Sequence, residues 1–178
     1  AIAEGLKDNR KIIVMTPASL KRNYFEELKK CGDTMYKKNQ FWEFVKSSPD
    51  NIKTLASVLN IDEEYINLQR GAWLVNVKKP PNYESMSSVE KKSLDKQLDE
   101  MIQNKYRFIS YNGLRKSHMN ALSMEGGVKH NPFDNAVVVI DEAHNFVSRI
   151  VNKLTRKSST SVSIELYELL MSAENSRI

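Results

Sequence analysis

The 178-residue sequence has one cysteine, Cys31, so no disulfide can form within the chain, and no ligand-type residues surround Cys31 at metal-site spacing. It has no apolar run approaching a membrane span, and its first residues, AIAEGLKDNR, lack both the charged start and the apolar middle of a secretory signal. Internal repeats and extended low-complexity tracts are absent. His118 and His130 have no partners at metal-ligand spacing and read as structural. These absences describe a soluble, intracellular protein without a membrane partner. Charge adds little: 27 basic residues against 22 acidic ones give a net charge of +5, compatible with a polyanionic partner but too mild to require one.

The apolar residues that are present alternate between strand and helix patterns. KIIVMT, residues 11–16, is a strand-length run rich in β-branched residues, and Pro17 is expected to open the next helix, with Leu20, Tyr24 and Leu28 on one face and Cys31–Gly32 at its end. Residues 46–105 have a different texture. SSPDN and KKPPNYESMSS read as loops, with short helical patterns and a strand candidate, Ala72 to Val77, between them. This stretch reads as a mostly helical insertion. Leu94, Leu98, Met101 and Ile102 make one helical stripe, followed by the strand candidate YRFIS, residues 106–110. A second helix and the loop EGGVKHNPFDN lead to the strand AVVVI, residues 136–140. Helices over about 145–154 and 164–171 follow, and a new strand is expected to start near Ser176. The pattern is that of an α/β fold with a mainly parallel sheet covered on both faces.

Within this pattern VVVIDEAH, residues 137–144, carries chemistry. A run built for burial ends in two carboxylates, which an interior tolerates only when their charge is met. In open α/β sheets ligands collect at the carboxyl ends of strands, where successive residues diverge. Asp141 and Glu142 can therefore take separate jobs, one on a magnesium ion, which keeps several waters and needs only one or two protein carboxylates, and the other on a water attacking a phosphate. The plain alternative is a strand end whose acid caps the next helix. Elsewhere, the segment Ile52 to Trp73 has the cadence of a helix-turn-helix, but Asp62, Glu63 and Glu64 would repel DNA at the start of its second helix, so it reads as a packed helical pair. Trp42 and Trp73 read as packing residues.

VVVIDEAH resembles motif II, the Walker B sequence, of superfamily-two helicases and translocases. TPASLKRNYFEEL, residues 16–28, resembles motif Ia of their Swi/Snf-like branch, P-x-S-L-x-x-N-aromatic-x-x-E-L, through Pro17, Ser19, Leu20, Asn23, Tyr24, Glu27 and Leu28. FISYNGL, Phe108 to Leu114, resembles motif Ib. Together with the insertion, NAVVVIDEAHNFVSRI is similar to the helicase-like ATPases of large double-stranded DNA viruses. The resemblance implies a three-layer RecA-like (P-loop NTPase) lobe, incomplete at both ends, that uses ATP and Mg2+ and acts in transcription, remodelling or replication. By likeness Asp141 holds the magnesium, Glu142 positions or polarises the hydrolytic water, and His144 links the nucleotide site to the nucleic-acid site or the second lobe. Ser19, Lys21 and Arg22, and with them Ser110, Asn112 and Lys116, would meet the backbone of nucleic acid, double-stranded DNA foremost, in a sequence-tolerant, salt-sensitive way.

The family also requires a phosphate loop ending in G-K-[ST], and none of the six glycines here is followed by that pattern. In the family that loop immediately precedes a helix like AIAEGLK, and motif III follows a strand like the one expected at Ile178. The resemblance therefore implies most of a first lobe with both flanks and the second lobe missing, and no ATP turnover by these 178 residues alone. The alternative function is a non-catalytic nucleic-acid-binding or scaffold module with a helicase-like lobe.

Overall fold

The computed structural model describes residues 2–6, 8, 10–155 and 161–178. In chain order the elements are α1 (Ile2–Leu6), β1 (Lys11–Thr16), α2 (Lys21–Cys31), β2 (Trp42–Lys46), α3 (Ile52–Leu59), α4 (Glu63–Gln69), β3 (Gly71–Val75), α5 (Ser88–Lys105), β4 (Tyr106–Ser110), α6 (Lys116–Leu122), β5 (Met124–Glu125), β6 (Val128–Lys129), β7 (Ala136–Ile140), α7 (Ala143–Thr155) and α8 (Val162–Met171), with one 3-10 turn at Tyr83–Ser85. They form two compact units. One comprises the chain up to Lys21 and from Tyr106 onward; the other is Arg22–Lys105. Ala1, Lys7 and Asn9, which belonged to the expected first helix and its end, lie outside the described residues.

The first unit is α/β, built on a parallel sheet in the order β4-β1-β7. Ile12, Ile13, Val14 and Met15 are all fully buried, which is why β1 reads as a continuous apolar run and sits at the centre. On one face Ile13, Met15, Ile109, Ala136 and Val138 pack with Met119 of α6, Phe146 and Ile150 of α7, and Leu166 and Leu170 of α8. Phe146 and Ile150 are four residues apart, so a single side of α7 supplies both contacts. Each such side chain contributes about 1.5–3 kcal/mol by leaving water. Beyond β7 the chain returns to the sheet: Arg177 makes a parallel bridge to Val137, Val138 N–H donates to Arg177 O at 2.7 Å, and Arg177 N–H donates to Ala136 O at 2.9 Å. The strand start expected near Ser176 is met by this one bridge.

The second unit joins an antiparallel pair, β2 and β3, to helices. Ile52, Leu55 and Ile66 bury the contact between α3 and α4, as expected of a packed helical pair, and α3 stops where Asn60 turns left-handed at φ 53°. A capping box starts α5: Ser87 N–H donates to Glu90 Oε2 at 2.8 Å and Glu90 N–H to Ser87 Oγ at 3.3 Å. The stripe Leu94, Leu98, Met101 and Ile102 is buried. Beside it the buried Gln97 acts as a strand mimic, accepting from Trp73 N–H at 2.7 Å and donating to Trp73 O at 2.8 Å.

Several expectations need correction. The second unit begins at Arg22, not near residue 46, because α2 after Lys21 and the strand β2 belong to it. WEFVK, whose Glu43 and Lys46 break the apolar run, is a strand that pairs along its length with β3. Pro17 does not open α2: Leu20 N–H closes a turn onto Pro17 O at 2.9 Å, and the helix starts at Lys21. Leu20, Tyr24 and Leu28 are only half-buried, and the fully covered side of α2 carries Phe25 and Lys29. The loop before β7 contains the small hairpin β5–β6, closed by Gly126 and Gly127 at φ 58° and 82°, the left-handed pair a two-residue hairpin turn requires.

Candidate active site

Parallel register brings the carboxyl ends of the three strands level. Thr16 lies opposite Ser110, and Met15 opposite Ile140, so Thr16, Ser110 and Asp141 end in one row on the rim. Asp141 is held twice. Its N–H donates to Met15 O at 2.8 Å, extending the ladder by one residue, and its Oδ2 accepts from the buried Thr16 hydroxyl at 3.2 Å. No hydrogen bond to Oδ1 is formed among the described residues.

Glu142 turns the chain. Its φ of +52° is left-handed, which costs a non-glycine residue roughly 1–2 kcal/mol, and its carbonyl accepts from Asn145 N–H at 2.8 Å as α7 begins. The two carboxylates thus leave the rim from different backbone conformations, consistent with separate tasks. Glu142 is 43% exposed, with Oε2 at 3.3 Å from Nδ1 of His144, itself 72% exposed.

Beneath this turn lies a residue the sequence reading quoted but gave no role. The Tyr111 hydroxyl is within 2.9 Å of Asp141 O and 3.1 Å of Glu142 O, while its ring packs on Phe146 with centroids 5.4 Å apart. Burial pushes the Tyr111 phenol up, and the charges of Asp141 and Glu142 push the same way against the opposing Arg149. Thr16 was missed for a similar reason: it reads as the last residue of a buried strand, and only the register puts it beside Asp141. A hydroxyl closing a β-run level with an acid closing its neighbour is the signal that could have found it.

Asp141 suits a water-rich magnesium ion. A carboxylate with one oxygen fixed and the other without a protein donor, at the mouth of a parallel sheet, offers the single charged ligand such an ion needs. Among the described residues no group of three or more His, Cys, Asp and Glu stands together, so the arrangement is not an all-protein cage.

The six candidate nucleic-acid residues do not converge equally. Ser19 is exposed on the turn before α2, not in a helical first turn, and Lys21 lies over the Phe108 ring at 5.4 Å. Arg22 belongs to the other unit, where its guanidinium meets Glu26 at 3.0 Å, Asp99 at 3.3 Å and Asp95 at 3.8 Å. Its charge is already met by acids, which makes it the weakest of the six. Ser110 and Asn112 line a cleft of about 490 Å³ together with Ala18, Leu114, His118 and Leu122, and exposed Lys116 opens α6 beside it. His118, expected to be structural, is an exposed wall of that cleft.

No family model, curated protein or solved structure matches the chain. No described helix is long and apolar enough to cross a membrane.

Proposed function

We propose that the chain is part of an ATP-dependent DNA helicase or translocase, with a RecA-like lobe whose Asp141 and Glu142 act in Mg-ATP hydrolysis coupled to movement on nucleic acid. One observation carries the reading: a DEAH segment leaves a buried parallel strand at the carboxyl rim with its first acid clamped by Thr16. Asp141 is the residue that would hold the magnesium ion. Glu142, reaching out of a separate turn into solvent, orients and polarises the water that attacks the γ-phosphate. His144, whose Nδ1 lies 3.3 Å from Glu142 Oε2, would link that carboxylate to the nucleic-acid site or to a second lobe. Bound Mg2+ would neutralise charge on the phosphate oxygens, and phosphoryl transfer asks little more of the protein than positioning. The reading needs a G-K-[ST] phosphate loop and a second lobe, neither of which these 178 residues contain.

Ser19, Lys21, Ser110, Asn112 and Lys116 would track the backbone of double-stranded DNA. The resemblance of NAVVVIDEAHNFVSRI to the helicase-like ATPases of large double-stranded DNA viruses supports transcription or replication machinery as the context.

Hydrolysis by the intact protein, measured with duplex DNA, single-stranded DNA and RNA, tests the proposal. Stimulation by duplex DNA that fades with added salt is expected. Stimulation by RNA alone would remove the DNA assignment. Salt-sensitive DNA binding without any turnover would favour a non-catalytic nucleic-acid-binding or scaffold module.

A further inference from the structure

The turn that carries Glu142 is unfavourable in isolation. Its left-handed φ opposes the side chain's own preference, and it follows a strand whose ladder ends at Asp141. Something must keep Glu142 there, and among the described residues the helix behind it supplies the bond from Asn145 N–H to Glu142 O. The carbonyl of Asp141 and the second lone pair of Glu142 O both point at one group, the hydroxyl of Tyr111, at 2.9 and 3.1 Å. Tyr111 is well placed to hold them. Its ring is 3% exposed and rests on Phe146, so the hydroxyl cannot swing away without repacking the core. Its backbone follows β4 directly, between Ser110 and Asn112, both of which line the cleft.

We propose that Tyr111 is the positioning residue for Glu142: its hydroxyl, shared between two consecutive carbonyls, fixes the acid turn and ties that turn to the segment lining the cleft. The inference deepens the hydrolytic reading and rests on it for its kinetic consequence, but the hold on the turn is a separate claim. One O–H has one proton, so it bridges the two carbonyls as a bifurcated donor or alternates between them. Either way, a displacement of 110–112 by an occupant of the cleft moves the hydroxyl against both carbonyls.

Tyr111→Phe in the intact protein is the test, because it removes one oxygen and leaves the ring on Phe146. Two readouts separate the claims. Amide hydrogen exchange across 141–145 should speed up several-fold in the variant while amides in β1 and α8 keep their rates. In the same protein kcat for Mg-ATP should fall roughly tenfold with KM unchanged, the loss expected when a single hydrogen bond that orients a reacting group is removed. Unchanged exchange at 141–145 would overturn the positioning role whatever the kinetics show. Faster exchange with kcat intact would overturn the link to Glu142's task. Faster exchange in a protein whose wild-type form hydrolyses no ATP would support the hold on the turn and reject the hydrolytic reading instead.

Discussion

Lys29 is the most exacting test of how the second unit is held together. Its side chain is 0% exposed, and its Nζ meets Asp99 Oδ1 at 2.6 Å, Asp95 Oδ1 at 2.8 Å and Glu26 Oε1 at 3.5 Å. Lys38 reaches Asp95 at 2.7 Å and Glu26 at 3.2 Å, and Arg22 covers the same acids from outside. Lys29→Met keeps most of the buried stem and deletes the charge. Removing one partner of a buried pair typically costs about 3–5 kcal/mol, because the other is stranded. Here the acids are 27% and 21% exposed at Asp95 and Asp99, so water and the two remaining cations relieve part of that strain. A loss of about 2–3 kcal/mol near pH 7 is expected, or roughly 10–20 °C in Tm for a unit of this size. Both tryptophans, Trp42 and Trp73, lie in this unit, so intrinsic fluorescence during urea unfolding reports it selectively.

The pH dependence supplies a second, independent reading. Burial pushes the Glu26 and Asp95 carboxyls up, but the hydrogen bonds from Lys38 and Lys29 and their charges outweigh it and leave both below the ordinary range. Stability from a depressed carboxylate is present above its unfolded pKa and disappears as pH falls through the folded one, here from about pH 4 downward. The gap between wild type and Lys29→Met should therefore narrow in acid, as the stranded carboxylates protonate. A variant as stable as wild type at pH 7, with no change in the gap on acidification, would refute the view that this cluster joins α2 to α5 through its charge.

Other perturbations have equally direct outcomes. Thr16→Val should lower stability by about 1 kcal/mol, since Asp141 Oδ2 is near solvent and can recruit water, and equilibrium urea unfolding checks it. Gln97→Met strands the N–H and carbonyl of Trp73 and should cost about 2 kcal/mol or more, with a shifted tryptophan emission maximum. Gly71→Ala would drive a Cβ into the Val45 carbonyl and to 2.7 Å from the Phe44 ring, so β2 and β3 should separate and the edge contact between Phe44 and Trp73 should be lost from the near-ultraviolet dichroism. The Tyr111 phenol should ionise above ordinary tyrosine in a spectrophotometric titration, and Glu142→Gln should bring it part of the way down, burial being the larger cause.

Strands whose apolar run is unbroken were legible from sequence: KIIVMT, YRFIS and AVVVI stand as β1, β4 and β7 with the bounds read from composition. Burial on both faces leaves such segments little alternative. WEFVK was not legible, because an antiparallel strand with one wet face interleaves charges with its apolar residues, and β3 alone decides its pairing. The start of α2 was misjudged for a local reason. Proline suits a first helical turn, but it suits a β-turn equally, and the bond from Leu20 N–H to Pro17 O selects the turn. Lys29 defeats any pattern rule, since a lysine is taken as exposed until its partners, 66 and 70 residues along the chain in α5, are known. The position of Asp141 at the carboxyl rim was readable because acids end a buried strand there. Thr16 and Tyr111 were not, because their roles depend on register between strands far apart in sequence.

In the proposed hydrolysis Asp141 and Glu142 have different tasks toward one Mg-ATP. The most direct measurement is nucleotide retention against turnover in the intact protein, comparing wild type with Glu142→Gln and Asp141→Asn at several magnesium concentrations. Glu142→Gln should retain ATP as tightly as wild type with turnover reduced at least a hundredfold, roughly the loss on removing general acid–base assistance, while Asp141→Asn should lose the magnesium dependence of retention. Equal turnover in wild type and Glu142→Gln, or magnesium-dependent retention unaffected by Asp141→Asn, would contradict it.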